Sequence, residues 1–266
     1  MRKADLTHYV GKELSLPYNM SVQQHIKKVK KALGLDPEVA MTEEEILEAA
    51  RKRVELIDKE FAETFKFIIQ YPKSVTFFGS SRLKENNPHY IKAEFIAKRL
   101  SELGFTIVTG GGPGIMEAAN RGAYEARGTS VGFNIKLPHE QQLNKYATAH
   151  LEYYYFFARK VALSFAAEAF IFFPGGFGTL NEFYEILTLV QTGRVLPMPI
   201  ILVGKDYWDP IHELMRNHLY KRHQTISEKD FNLYTITDDD DHIIELVKNA
   251  PIVRGIDFPD PVNGNK

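Results

Sequence analysis

Three stretches of this chain combine glycine with hydroxyl or acidic side chains in a way that suits anion chemistry. They are Gly79-Ser80-Ser81-Arg82, Gly110-Gly111-Gly112-Pro113-Gly114 with Ile115-Met116-Glu117 after it, and Pro174-Gly175-Gly176-Phe177-Gly178-Thr179 with Leu180-Asn181-Glu182 after it. Glycine lets backbone N–H groups approach an anion closely, and a helix opening at such a turn adds about half a positive charge. One loop of this kind is most often just a strand-to-helix turn, whereas three on one sheet edge point to a phosphate cradle. The candidate phosphate ligands are Gly79, Ser80, Ser81, Gly111, Gly112, Gly114, Glu117, Gly175, Gly176, Gly178 and Thr179.

Arg159 and Glu182 are the candidates for chemistry beside that cradle. Breaking a bond so that positive charge develops on one fragment, as in sugar hydrolysis, is chemistry that such a pair can assist. A carboxylate can stabilise that cation and orient or deprotonate water, and a planar guanidinium can pin hydroxyls or phosphate. Structural readings of the same residues stand beside these. Thr179-x-x-Glu182 is also a capping box. Arg159 and Glu182 could be an ion pair between two helices, and Glu117 could either cap its own loop or supply a second carboxylate. Ser80 and Ser81 lack the Gly-x-Ser-x-Gly elbow of a nucleophile. Asn120 reads as a residue that ties its own loop, and Leu137-Pro138-His139-Glu140 as a lid.

Other fingerprints are missing. There is no G-x-x-x-x-G-K-[ST], and Glu117 close behind Gly112-Pro113-Gly114 would repel a dinucleotide's pyrophosphate. The nine histidines form no metal constellation: His212-Glu213 is followed by His218, out of step with zinc-protease spacing. Lys160 has no companion residues that suggest a Schiff base. Neither a metal nor a cofactor is expected.

The elements that must position these loops alternate along the chain. Short apolar runs at 75–78, 105–109, 130–135, 151–156, 169–173 and 200–203, with a late one at 233–236, read as strands. Helical patterns at 88–103, 115–126, 158–167, 180–191 and 208–218 separate them, and Asp238 is expected to cap a last helix. Strands apolar on both faces, joined through helices, imply right-handed crossovers and a parallel sheet. The expected fold is α/β: a doubly wound, Rossmann-like, mostly parallel sheet with an N-terminal helical extension. Ligands of such sheets bind outside the carboxyl ends of the strands. Residues 1–72 read as the extension packed on the core, 73–250 as the nucleotide-binding domain and 251–266 as a loose tail. In the extension, Ser21 opens a short helix that stops at Gly34. A longer one begins at the capping box Thr42–Glu45, carries Ile46, Ala50, Val54, Ile57, Phe61, Phe65 and Ile68 on one face, and ends at Pro72.

Composition narrows the function classes. Thirty-three basic against 34 acidic side chains leave a net charge of -1, no global attraction for nucleic acid or anionic membrane. The basic runs Lys27–Lys31 and Arg51–Arg53 read as solvated helix faces. The absence of cysteine excludes thiolate metal sites and cysteine nucleophiles and fits a cytoplasmic location. No segment has the make-up of a signal peptide or the roughly 20 apolar residues of a membrane span.

From about Val75 to Tyr220 the chain resembles the LOG ("Lonely Guy") family, also labelled lysine decarboxylase-like. The resemblance rests on Gly110–Glu117 with Ala118-Ala119-Asn120, and on Arg159-Lys160 upstream of Pro174-Gly175-Gly176-Phe177-Gly178-Thr179-Leu180-Asn181-Glu182, the family's R-K and P-G-G-x-G-T-x-x-E. It implies a nucleoside 5′-monophosphate phosphoribohydrolase, acting on AMP or cytokinin-ribotide substrates to give free base and ribose 5-phosphate, with Arg159 and Glu182 as the catalytic pair. It also implies a homodimer or higher homo-oligomer. The chain departs from the pattern at Phe156, where the family often has methionine near the base, and at Asn181, where many members carry a carboxylate. The alternative is a non-catalytic carrier of a nucleotide or cofactor phosphate using the same cradle.

Overall fold

The computed structural model describes residues 43–136 and 143–251. The expected helix at Ser21–Gly34, the Lys27–Lys31 run, the Thr42 cap, the lid at 137–140 and the tail from 252 onward lie outside the described residues. Helix α1 (Glu43–Ile68) leads into strand β1 (Ser74–Phe78), α2 (Pro88–Glu102), β2 (Thr106–Thr109), α3 (Ile115–Glu125), β3 (Ser130–Ile135) and β4 (Ala149–Tyr153). Then come α4 (Phe156–Phe165), β5 (Ala169–Phe172), α5 (Phe177–Gln191), β6 (Ile200–Leu202), α6 (Lys205–Leu214), β7 (Thr235–Ile236) and α7 (Asp240–Lys248). A π-helical stretch, Met215–Arg222, and a 3-10 turn, Glu228–Leu233, follow α6.

The seven strands form one sheet in the order β4-β3-β2-β1-β5-β6-β7, every pair parallel. The doubly wound expectation is therefore met. The chain winds outward from β1 to β4, then returns to lay β5 along the other side of β1. The switch point where ligands bind in such sheets thus lies between β1 and β5.

Side-chain alternation splits the core into two layers. Phe78, Phe133, Phe170 and Phe172 face α1, α4, α5 and α6. Val75, Phe77, Ile107, Ile171 and Phe173 face α2, α3 and α7. Adjacent strands β1 and β5 carry the same pattern, so Phe78 stacks on Phe172 at 4.7 Å on one face and Phe77 on Phe173 at 6.4 Å on the other. Apolar runs buried on both faces are what a central parallel strand requires.

Three of the boundaries that differ from the expected ones bear on the site or its supports. The fourth strand was expected to run to Phe156, but it ends at Tyr153 and Phe156 opens α4. Glu60 of α1 accepts hydrogen bonds from the backbone N–H groups of Tyr154 (2.6 Å) and Tyr155 (3.3 Å), so these aromatic residues leave the ladder. The last helix is capped by Asp239, which accepts from His242 N at 3.0 Å. Asp238 instead accepts from Gly204 N and Lys205 N and holds the start of α6. The third boundary is the start of α5, which shapes the site. On α1, the apolar stripe packs only at its lower end, with Phe61 against Phe157 and Phe65 against Phe165. Ile46 and Val54, higher up, are exposed.

Candidate functional site

A cavity of about 830 Å³ opens at the switch point, within the size range of small-molecule sites. Its walls are the loop after β1 (Gly79 to Leu83), the turn from Pro174 to Leu180, and Gly110, Met116, Arg159, Leu163, Glu182 and Tyr207. Parallel pairing of β1 with β5 places the first two loops side by side, and Ser80 N donates to Pro174 O across the gap. Ser80 O in turn accepts from Ile115 N, which fastens α3 to the same rim.

Helix α5 begins at Phe177, three residues before its expected start, with Gly176 as N-cap and no side-chain cap hydrogen bond. Thr179 is therefore already inside the helix, packed on Gly175, and Glu182 does not reach back to it. The capping-box reading of Thr179 and Glu182 is overturned by this geometry. A Cβ at Gly176 or Gly178 would meet no atom within 4 Å, so the opening turn presents bare backbone to the cavity. Tyr207 braces the turn from behind, its Oη donating to Gly175 O at 2.7 Å.

The side chains of Arg159 and Glu182 come to the cavity from neighbouring helices α4 and α5. They form no direct ion pair among the described residues. Arg159 donates through Nε to Phe133 O (2.6 Å) and through Nη2 to Gly110 O (3.2 Å), at the carboxyl ends of β3 and β2. Burial lowers the proton affinity of its guanidinium and the Glu182 charge raises it. Glu182 is 9% exposed, and its Oε2 has no hydrogen-bond partner. Burial pushes its carboxyl up to about 7, against the opposing pull of Lys160 and Arg159 and with a further push from Glu185. A buried, unpaired carboxylate is costly and marks a candidate for proton transfer.

The middle glycine loop plays a different part. Of its glycines, Gly110 lines the cavity, while Gly111, Gly112, Gly114 and Glu117 lie outside the lining. Glu117 accepts from Tyr90 Oη at 3.3 Å. A buried network fixes the loop from below. Thr109 Oγ1 donates to Asn120 Oδ1 (2.6 Å) and accepts from Gly111 N (2.9 Å). Asn120 Nδ2 donates to Ser130 Oγ and Val131 O. Asn144 Nδ2 reaches both Asn120 Oδ1 (2.8 Å) and Gly112 O (3.1 Å). Asn120 is thus the loop-tying residue it was read to be, with a longer reach.

The sequence reading brought Gly79, Ser80, Ser81, Arg159, Gly175, Gly176, Gly178, Thr179 and Glu182 to this cavity, and all line it. It missed Arg82, Met116, Leu163, Phe177 and Tyr207. Arg82 and Phe177 stand inside the glycine motifs themselves, where neither has a spacing that marks its side chain as functional. Phe177 is 93% exposed at the rim, an unusual position for an aromatic ring. Phe156 is also exposed and lies outside the lining. Lys160 lies outside it too, paired with Glu185. Among the described residues, no three His, Asp or Glu side chains converge as a metal site requires, and no helix is long and apolar enough to cross a membrane.

Comparison with known proteins places these features in context. Residues 116–247 match the family model described as "Possible lysine decarboxylase". The chain is 30% identical over 152 residues to the probable cytokinin riboside 5′-monophosphate phosphoribohydrolase LOGL5 of rice, a match covering 53% of this chain and 58% of that protein. It is 28% identical over 147 residues to the cytokinin riboside 5′-monophosphate phosphoribohydrolase of Rhodococcoides fascians, covering 53% and 72%. The chain thus spans little more than half the length of the rice relative. Among solved structures, the molybdenum cofactor carrier protein of Chlamydomonas reinhardtii superposes with a TM-score of 0.51 at 19% identity, covering 67% of this chain and 98% of that one, a likeness of fold. The resemblance to the LOG family read from the motifs is borne out.

Proposed function

We propose that this chain, with its LOG-type sheet and motifs, hydrolyses the N-glycosidic bond of a nucleoside 5′-monophosphate. The observation that carries the proposal is Glu182: a buried carboxylate with an unpartnered oxygen, facing the same cavity as the bare backbone turn at Gly176–Thr179. A carrier needs the cradle but has no use for a carboxylate held unpaired at such cost.

In this reading the 5′-phosphate sits on the N–H groups at the start of α5, where the helix dipole favours an anion. Arg82, which has no acidic partner among the described residues, lines the same cavity and adds a positive charge. The ribose then lies between Arg159 and Glu182. Arg159 is held by two backbone carbonyls, so its fork keeps one orientation for the sugar hydroxyls. Water bonds to C1′ as the C1′–N bond breaks, and the bond's electron pair leaves with the base. Glu182 takes one proton from the water and its charge stabilises the oxocarbenium-like transition state. That proton, returned through solvent, neutralises the base, giving free base and ribose 5-phosphate. Glu182 thus acts as the base, and solvent carries the proton to the leaving group. The active form in this proposal is a homo-oligomer.

The test is incubation of the protein with a panel of nucleoside monophosphates and the matching nucleosides, with chromatography for free base. Release from the monophosphates is expected, about tenfold to several hundredfold faster than from the nucleosides, since several N–H donors and a helix dipole favour the phosphate. Tight nucleotide binding without base release from any substrate would favour the carrier.

A further inference from the structure

We infer that Glu185 is a positioning residue for this site: it holds Lys160 away from Glu182 and so keeps the Glu182 carboxylate unpaired and available to take up a proton. The inference rests on the hydrolase reading for its purpose, and on the following geometry for its substance. Glu182 and Glu185 are three residues apart on α5, and so lie on one helix face. Lys160 follows Arg159 directly on α4, which the Lys160–Glu185 pair links to α5. Its Nζ pairs with Glu185, and both side chains are largely withdrawn from solvent, at 19% and 34% exposure. Lys160 is also the strongest opposing charge felt by Glu182. One cation thus stands between two carboxylates and is engaged by the one outside the cavity.

The choice of partner matters because a lysine ammonium is a flexible point charge that pairs with whichever acid is offered. Paired with Glu182, it would hold that carboxylate ionised and make it a weak base. Arg159 pulls on Glu182 more weakly than Lys160 does, and its Nε and Nη2 already donate to the carbonyls of Phe133 and Gly110. The charged and titratable groups facing Glu182 are therefore Arg159 and Lys160 from α4 and Glu185 from its own helix, with Tyr207 from α6 and Arg82 from the β1 loop lining the same cavity. Of these, Glu185 alone opposes the cations.

Removing Glu185's charge takes away a neighbouring anion and frees Lys160, and both effects favour ionised Glu182. Glu185→Gln should therefore raise the acidity of Glu182 at least tenfold, moving its titration midpoint down by a unit or more. The acid limb of kcat/KM should move to lower pH by the same amount, with a slower plateau because the base is weaker. Lys160→Met should shift both in the opposite direction. The double variant should restore them toward the parent, which mere disturbance of packing would not do. The midpoint is read without substrate, by carbon-13 NMR of glutamate-labelled full-length protein, with Glu182→Gln assigning the signal. An unchanged or raised midpoint in folded Glu185→Gln overturns the inference. If that variant does not fold, a lowered or unmoved midpoint in Lys160→Met overturns it. Midpoints that move as expected in a protein that releases no base would overturn the hydrolase reading and leave the ion-pair arrangement standing.

Discussion

The guanidinium of Arg159 occupies the space where a side chain on Gly110 would stand. A Cβ built there would overlap Nη2 and press on Met116 Sδ. The absence of a side chain at the end of β2 is therefore a condition for the position of a cation on α4, 49 residues later. Gly110→Ala should displace the guanidinium and lower kcat to near the level of Arg159→Ala. Because both changes remove one function, the double variant should be little worse than either single one. Additive losses in steady-state kinetics would separate the two residues.

Gly178 is the opposite case, since nothing lies within 4 Å of a Cβ at that position. It sits within the first turn of α5, where alanine is the better helix former by about 0.8–1 kcal/mol. Gly178→Ala should leave the protein as stable or more so, yet weaken monophosphate binding, because the added methyl covers the N–H groups that receive the phosphate. Thermal melting with and without AMP reads both quantities. A variant that binds AMP as the parent does would move the phosphate off this turn.

Asn120 is fully buried and serves Thr109, Ser130, Val131 and Asn144 at once. Asn120→Ala leaves several of these groups without partners, each worth about 1–3 kcal/mol when buried. A loss of about 3 kcal/mol or more in urea denaturation is expected, with the Gly110–Gly112 loop loosened. A loss below 1 kcal/mol would mean that the network closes up without its hub.

The sheet was legible because β1, β5 and their neighbours are apolar on both faces, a demand the fold imposes on every residue of the strand. The glycine turns were legible for a related reason: at Gly79, Gly110 and Gly175 close approach leaves no room for a side chain. The features that local pattern does not carry are set by distant parts of the chain. The Tyr154–Phe157 run has strand-forming chemistry, and the carboxylate of Glu60 turns it toward a helix. Thr179 and Glu182 have capping-box spacing, but Gly176 starts the helix earlier and leaves Glu182 with other work. Asn144, Tyr207 and Glu185 carry no motif by which to be found, since their roles exist only once strands and helices are packed.

Burial of Glu182 also links the site to stability. Its carboxyl is raised from the ordinary 4.5 to about 7. In that window the folded state binds the proton and the unfolded state has released it. The contribution of Glu182 is thus fully present below about 4.5 and is lost as pH rises through 7. Relative to Glu182→Gln, which does not titrate, the parent should lose stability between pH 5 and 8, by about 3 kcal/mol at most at 1.36 kcal/mol per pH unit. Urea denaturation of both proteins across that range measures the gap. Parallel curves would show that Glu182 is ionised in the folded protein throughout.

The rate of base release from AMP by Glu182→Gln tests the account most directly. The substitution keeps the size of the side chain and removes its charge and its proton chemistry. Loss of one preorganised electrostatic group commonly costs about 10²–10³ in rate. The account predicts a folded variant that binds AMP within a few fold of the parent and releases base at least a hundredfold more slowly. Near-normal turnover by a well-folded Glu182→Gln protein would contradict it.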